Sequence, residues 1–159
     1  MRTVFTLLLL GLAASPLQAQ APKRMGAPDS PIAASVEVPV GSRIVYVSGQ
    51  VPEVANATAT EGSVDRYGDT EIQTRSVIKK IEGVLKAHGL GLGDVAMMRV
   101  FLVAPPGQPR MDFAGMMRAY SASFGTKEQP NKPARSTMQV AGLVNAGWLV
   151  EIEVTATKK

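Results

Sequence analysis

The chain has 159 residues, 45% of them apolar, which suits one compact domain with a single core and leaves little room for a second. It contains no cysteine and one histidine, which excludes a lipobox, a disulfide framework, thiolate chemistry, and any transition-metal site built on cysteines or several histidines. The formal net charge is +4, carried by scattered basic residues without the aromatic-interleaved basic stripe of a nucleic-acid binder; it implies no more than a mild attraction for small anions.

Residues 1–19 have the layout of a secretory signal peptide: Arg2, an apolar run over residues 4–14, then Ser15-Pro16-Leu17-Gln18-Ala19. Cleavage is expected after Ala19, because a cut after Ala21 would set Pro22 beside the scissile bond. The run falls well short of the ~20 residues that span a bilayer, so no stable membrane anchoring is expected after processing. The expected location is periplasmic or secreted.

Residues 20–31 carry three prolines and read as an extended, mobile lead-in, leaving 32–159 as the single domain. Two short strands are expected over residues 36–40 and 44–48, joined at Gly41-Ser42, with Gly49-Gln50-Val51-Pro52 ending the second. Residues 53–68 lack any period and read as a surface loop, in which Asn56-Ala57-Thr58 is a glycosylation sequon by pattern. Asp69 caps a predicted helix in which Ile72, Ile78, Ile81, Leu85 and His88 recur near helical spacing, stopped by Gly89. His88 then sits at a helix C-terminus, which accounts for it through the helix dipole. The glycines of Gly89-Leu90-Gly91-Leu92-Gly93 follow a helix instead of joining a strand to one, so they are no dinucleotide fingerprint.

Residues 94–104 form an apolar run expected to be a buried strand, broken by Pro105-Pro106-Gly107. A second helix is expected from about Arg110 to Phe124, with Phe113, Met116, Met117, Tyr120 and Phe124 on one side and Gly125 as its stop. The Met97-Met98 and Met116-Met117 pairs read as core filler. Residues 135–140 and 148–157 close the chain as two strands. The whole is an α+β sandwich with two helices on one face of a mostly antiparallel or mixed sheet. The other sheet face needs cover, and a second copy of the chain is the expected source.

In the last strand Val150, Ile152, Val154 and Ala156 share one face, and Glu151, Glu153 and Thr155 the other. Arg135, Thr137 and Gln139 group in the same way on the strand before it. If the two strands pair about a turn near Leu143, Arg135 lies across from Glu151 on a common polar face. One reading is a solvated cross-strand ion pair worth about 0.2–1 kcal/mol. The other is an anion clamp in which Arg135 grips a substrate carboxylate and Glu151 orients or deprotonates a water.

Four motifs, Val47-Ser48-Gly49-Gln50-Val51-Pro52, Ala87-His88-Gly89-Leu90 with Gly93-Asp94-Val95, Pro133-Ala134-Arg135-Ser136, and Val150-Glu151-Ile152-Glu153, together resemble the RidA/YjgF/UK114 family of enamine and imine deaminases. The resemblance runs from about Pro31 to Ala156. It implies a chorismate-mutase-like α+β fold, a homotrimer with pockets at the subunit interfaces, and cofactor-free hydrolysis of 2-imino acids such as the 2-aminoacrylate tautomer to 2-oxo acids and ammonia. Carried over residue by residue, it makes Arg135 the carboxylate-binding arginine, Glu151 the acid that positions water, and Glu153 a structural companion. Ser48 and Gly49 line the pocket, and Thr137 stands where cysteine is common. Ser35 and Met117 fall where a pocket tyrosine and asparagine are usual, which makes the pocket less polar. The alternative is a non-catalytic carboxylate-binding or chaperone-like trimer of the same fold.

Overall fold

The computed structural model describes residues 20–158. The leader expected over residues 1–19, with its cleavage site, lies outside them. In chain order the elements are β1 (Lys23–Met25), β2 (Ser35–Glu37), β3 (Arg43–Gln50), α1 (Val64–Tyr67), α2 (Thr70–Ala87), β4 (Val95–Leu102), α3 (Phe113–Ser121), β5 (Ala134–Gln139) and β6 (Val150–Lys158). Four strands make a mixed sheet in the order β3-β6-β4-β5, with β4 and β5 parallel and the other neighbours antiparallel. This is the expected α+β arrangement, with α2 and α3 on one face. Among the described residues, no helix is long and apolar enough to cross a membrane.

Helix α2 begins where the Asp69 side chain accepts from the backbone of Ile72, and ends where Gly89 turns at φ +70° and Leu90 N–H donates back to Leu85. Its inner face buries Val77, Ile78, Ile81 and Leu85 against Val150, Ile152, Val154 and Ala156 of β6 and Met98, Val100 and Leu102 of β4. Fully burying each large aliphatic side chain contributes about 1.5–3 kcal/mol, so this layer holds the fold. Ile72, expected on the inner stripe, is exposed; buried Gln73 takes its place, binding Gly68 O, Gly147 O and Leu149 N–H. Helix α3 starts later than Arg110, because Asp112 accepts from Gly115 N–H and fixes the first turn there.

Four expectations are corrected. Residues 36–40 do not pair with β3; β2 pairs antiparallel with β1, Val36 opposite Arg24. The lead-in over 20–31 is therefore part of the fold. Its Arg24 donates to Val95 O, Lys132 O and Gly93 O at 2.9–3.0 Å. The loop over 53–68 contains the one-turn helix α1, whose Tyr67 packs edge-on to Trp148 at 6.2 Å between ring centroids.

The last correction matters most. Strands β5 and β6 are not a hairpin, because β4 lies between them. Strand β6 is apolar along one whole face and takes a central position, whereas β5, with Arg135, Ser136, Thr137 and Gln139, is an edge strand. Helix α3 provides the crossover that the parallel β4–β5 pair requires.

Candidate functional site

In the shared register Arg135 lies beside Met98 of β4, which lies beside Val154 of β6. Met98 and Val154 are core residues, so Arg135 projects onto the helix face. Glu151 lies beside Phe101 and Glu153 beside Arg99, on the opposite, open face. The expectation of a common polar face is therefore wrong. Within one protomer Arg135 and Glu151 are separated by the sheet, two strands across and three positions along, and they form no pair.

Arg135 sits between β5 and α3. Tyr120 lies under its guanidinium, 4.2 Å from Cζ to the ring centroid, with Phe113 at 5.9 Å. Its Nη2 donates to Met117 Sδ at 3.2 Å, and Nη1 is buried with no partner. No carboxylate of the described residues pairs with it. Burial lowers the Arg135 pKa, opposed by Tyr120; burial also pushes the Tyr120 hydroxyl up to about 12, against the two arginines Arg135 and Arg24. The guanidinium still carries its charge at any physiological pH, because arginine does not lose its proton there. What remains is a half-buried cation whose resident partners are two rings and a thioether. Thr137, two positions along β5 on the same side, has a buried hydroxyl without a partner.

A second cluster forms where β3 bulges between Val47 and Gln50. The Glu151 carboxylate lies against Gly49, so closely that a Cβ on Gly49 would fall inside it. Ser48 is exposed beside it. A neighbouring hollow on the open face is lined by Tyr46, Ser48, Met97, Arg99, Glu153 and Thr155, and Arg99 pairs with Glu153 at 2.6 Å. That pair makes Glu153 structural within the sheet.

The residues expected at the site thus divide. Arg135, Thr137 and Met117 come together under α3, while Glu151, Gly49 and Ser48 come together at the bulge of β3. Ser35 belongs to neither set; it is exposed on β2, opposite Met25. Tyr120 and Phe113 were read only as a helix face, yet they bed the arginine. Their signal was the spacing Phe113, Met117, Tyr120, a single stripe at i, i+4, i+7 over the edge strand. His88 is the C-cap of α2, exposed, and its backbone carbonyl accepts from Arg43.

The chain matches the Endoribonuclease L-PSP family over residues 27–158. A RutC family protein of Pyrococcus abyssi is 31% identical over 140 residues, 88% of this chain and 93% of the relative. Among solved structures, the Rid family protein YyfB of Yersinia pestis, described as of unknown function, superimposes with a TM-score of 0.60 at 28% identity, covering 79% of this chain and 86% of that one. TdcF of E. coli, solved with bound serine, superimposes with a TM-score of 0.56 at 29% identity, covering 86% and 99%. The chain belongs to the Endoribonuclease L-PSP family, the Rid or YjgF proteins.

Proposed function

We propose that this protein hydrolyses small 2-imino acids and their enamine tautomers to 2-oxo acids and ammonia, in sites built between copies of the chain. The observation that carries the reading is Arg135: a half-buried guanidinium, bedded on Tyr120, with no carboxylate among the described residues to neutralise it. A buried charge without a counter-ion costs several kcal/mol unless a ligand supplies the partner. A carboxylate fits that fork with charge-assisted hydrogen bonds, and the unpartnered Thr137 hydroxyl lies on the same side. The serine bound in TdcF supports a small amino-acid-like ligand.

Arg135 orients the acid and Glu151 acts on water. Glu151 accepts a proton from the water as its oxygen attacks C2 of the protonated imine; that proton then passes to nitrogen. Glu151 takes the hydroxyl proton as the C–N bond breaks, and ammonia leaves a 2-oxo acid and carries that proton away as ammonium. No step requires a cofactor. Because one protomer keeps the two residues on opposite faces, we read the working site as Arg135, Thr137 and Met117 of one copy facing Glu151, Gly49 and Ser48 of the next, closed as a homotrimer. The leader over residues 1–19 makes the protein an exported one in this reading, and N-terminal sequencing of the secreted form, beginning at Gln20, would check it.

The test supplies imino acid from an amino-acid oxidase and follows the imine by semicarbazide trapping. Hydrolysis well above buffer, lost by about a hundredfold or more in Arg135→Ala, is the expected result. Rates equal to buffer would sink the reading. The second reading, carboxylate binding without turnover, is favoured by Met117 holding the place of an amide at Arg135, and calorimetric binding of 2-oxo acids with no imine hydrolysis would select it.

A further inference from the structure

We propose that Met117 is a gate on Arg135 that selects 2-imino and 2-oxo acids with an unbranched apolar side chain over the shortest or hydroxylated ones. This rests on Arg135 as the carboxylate-binding group and goes on to which acids it admits. The contact from Nη2 to Met117 Sδ is the only hydrogen bond the Arg135 side chain makes among the described residues. The sulfur takes one of the two Nη2 hydrogens, so a carboxylate that grips the fork competes with it there. A thioether is a weak acceptor, and an ionised carboxylate makes a hydrogen bond about twice as strong as a neutral one, so the exchange favours the ligand. Met117 is half-buried on α3 and unbranched, with the freedom to swing aside.

The surface left by that movement is apolar. Phe113 lies one turn before Met117 on α3 and Tyr120 one turn after it, both with rings on Arg135. The Tyr120 hydroxyl is already spent, donating to Pro31 O at 3.0 Å. The Tyr120 ring is itself buried between Arg135 and the stacked Phe124, so a ligand side chain running along this stripe meets the exposed Phe113 and a thioether, and a hydroxyl on it finds no partner on α3. Each methylene laid on such a wall improves affinity about fourfold, whereas a polar group buried there without a partner weakens it. An asparagine at 117 would reverse the second effect by offering its amide.

Calorimetric titration with pyruvate, 3-hydroxypyruvate and 2-oxohexanoate, on the native protein and on Met117→Leu, Met117→Asn and Arg135→Ala, tests the gate. The native protein is expected to prefer 2-oxohexanoate over both shorter acids by about tenfold or more. Met117→Leu keeps the wall and so the preference, and binds all three acids more tightly, because Nη2 has lost its resident acceptor. Met117→Asn reduces the preference to under about threefold, with 3-hydroxypyruvate gaining most. Arg135-dependent binding with no preference in the native protein, or with the same preference in Met117→Asn, overturns the gate and leaves the carboxylate reading standing. Binding unaffected by Arg135→Ala, or none of any acid by any variant, overturns the carboxylate reading and the gate with it.

Discussion

A single missing side chain decides where Glu151 can be. Gly49 follows the exposed Ser48 at the bulge of β3, and its lack of a Cβ is what allows the Glu151 carboxylate to lie against the backbone there. The requirement is for space and not for an unusual backbone angle. Gly49→Ala should therefore leave the fold and the Arg135 cluster intact while driving Glu151 away from its position. A displacement on the order of 1 Å costs about a hundredfold in rate when the displaced group positions a reactant. The expected outcome is a loss of that size in imine hydrolysis, with unchanged thermal midpoint and unchanged affinity for unreactive 2-oxo acids. Full activity in Gly49→Ala would remove Glu151 from the chemistry. Sequence pattern named both residues but could not join them, because the contact crosses from β3 to β6 at a bulge, and alternation carries no sign of one.

At the scale of elements, local signals were legible and long-range pairing was not. The cap at Asp69, the stop at Gly89 and the alternation of Val150, Ile152, Val154 and Ala156 are written within a few residues, and the structure has each of them. The partnering of β5 with β4 is a competition settled by the whole sheet, in which the strand with the more apolar face takes the centre. The polar run Arg135-Ser136-Thr137 marked β5 as an edge strand, a sign that the hairpin reading passed over. Strand β1 was illegible for another reason: three residues among prolines have no period, and their anchor is one side chain reaching carbonyls 69 to 108 positions away. Arg24→Ala should test that anchor. It deletes three hydrogen bonds from a half-buried cation and is expected to lower stability by about 2 kcal/mol in denaturant titration, with amide exchange rising first over residues 20–37. Protection of β1 and β2 unchanged in the variant would show that their own pairing suffices.

At the scale of the whole molecule, the sheet's open face is unfinished in one copy. Tyr46 is 78% exposed there, with Ile44 on the same edge strand and Met138 on the opposite edge strand facing the same way, on either side of the Arg99–Glu153 pair. Large apolar side chains left exposed on one sheet face in this way are the mark of a surface that packs against protein. The division of the site into two clusters on opposite faces gives the same requirement from chemistry, since neither cluster holds both a carboxylate-binding cation and a free acid. This allows a test that needs no structure of the assembly. Arg135→Ala and Glu151→Gln should each be inactive as pure oligomers, because every site in them lacks one of the two groups. Co-expressed at equal levels, they form mixed oligomers in which some sites take Arg135 from one subunit and Glu151 from its neighbour. In a closed ring with random mixing, about a quarter of the sites are intact in this sense, so imine hydrolysis should return to about a quarter of the native rate. A site contained within one chain gives no recovery at any mixing ratio. Silence from mixed oligomers verified by native mass spectrometry would therefore refute a shared site, whatever the number of subunits.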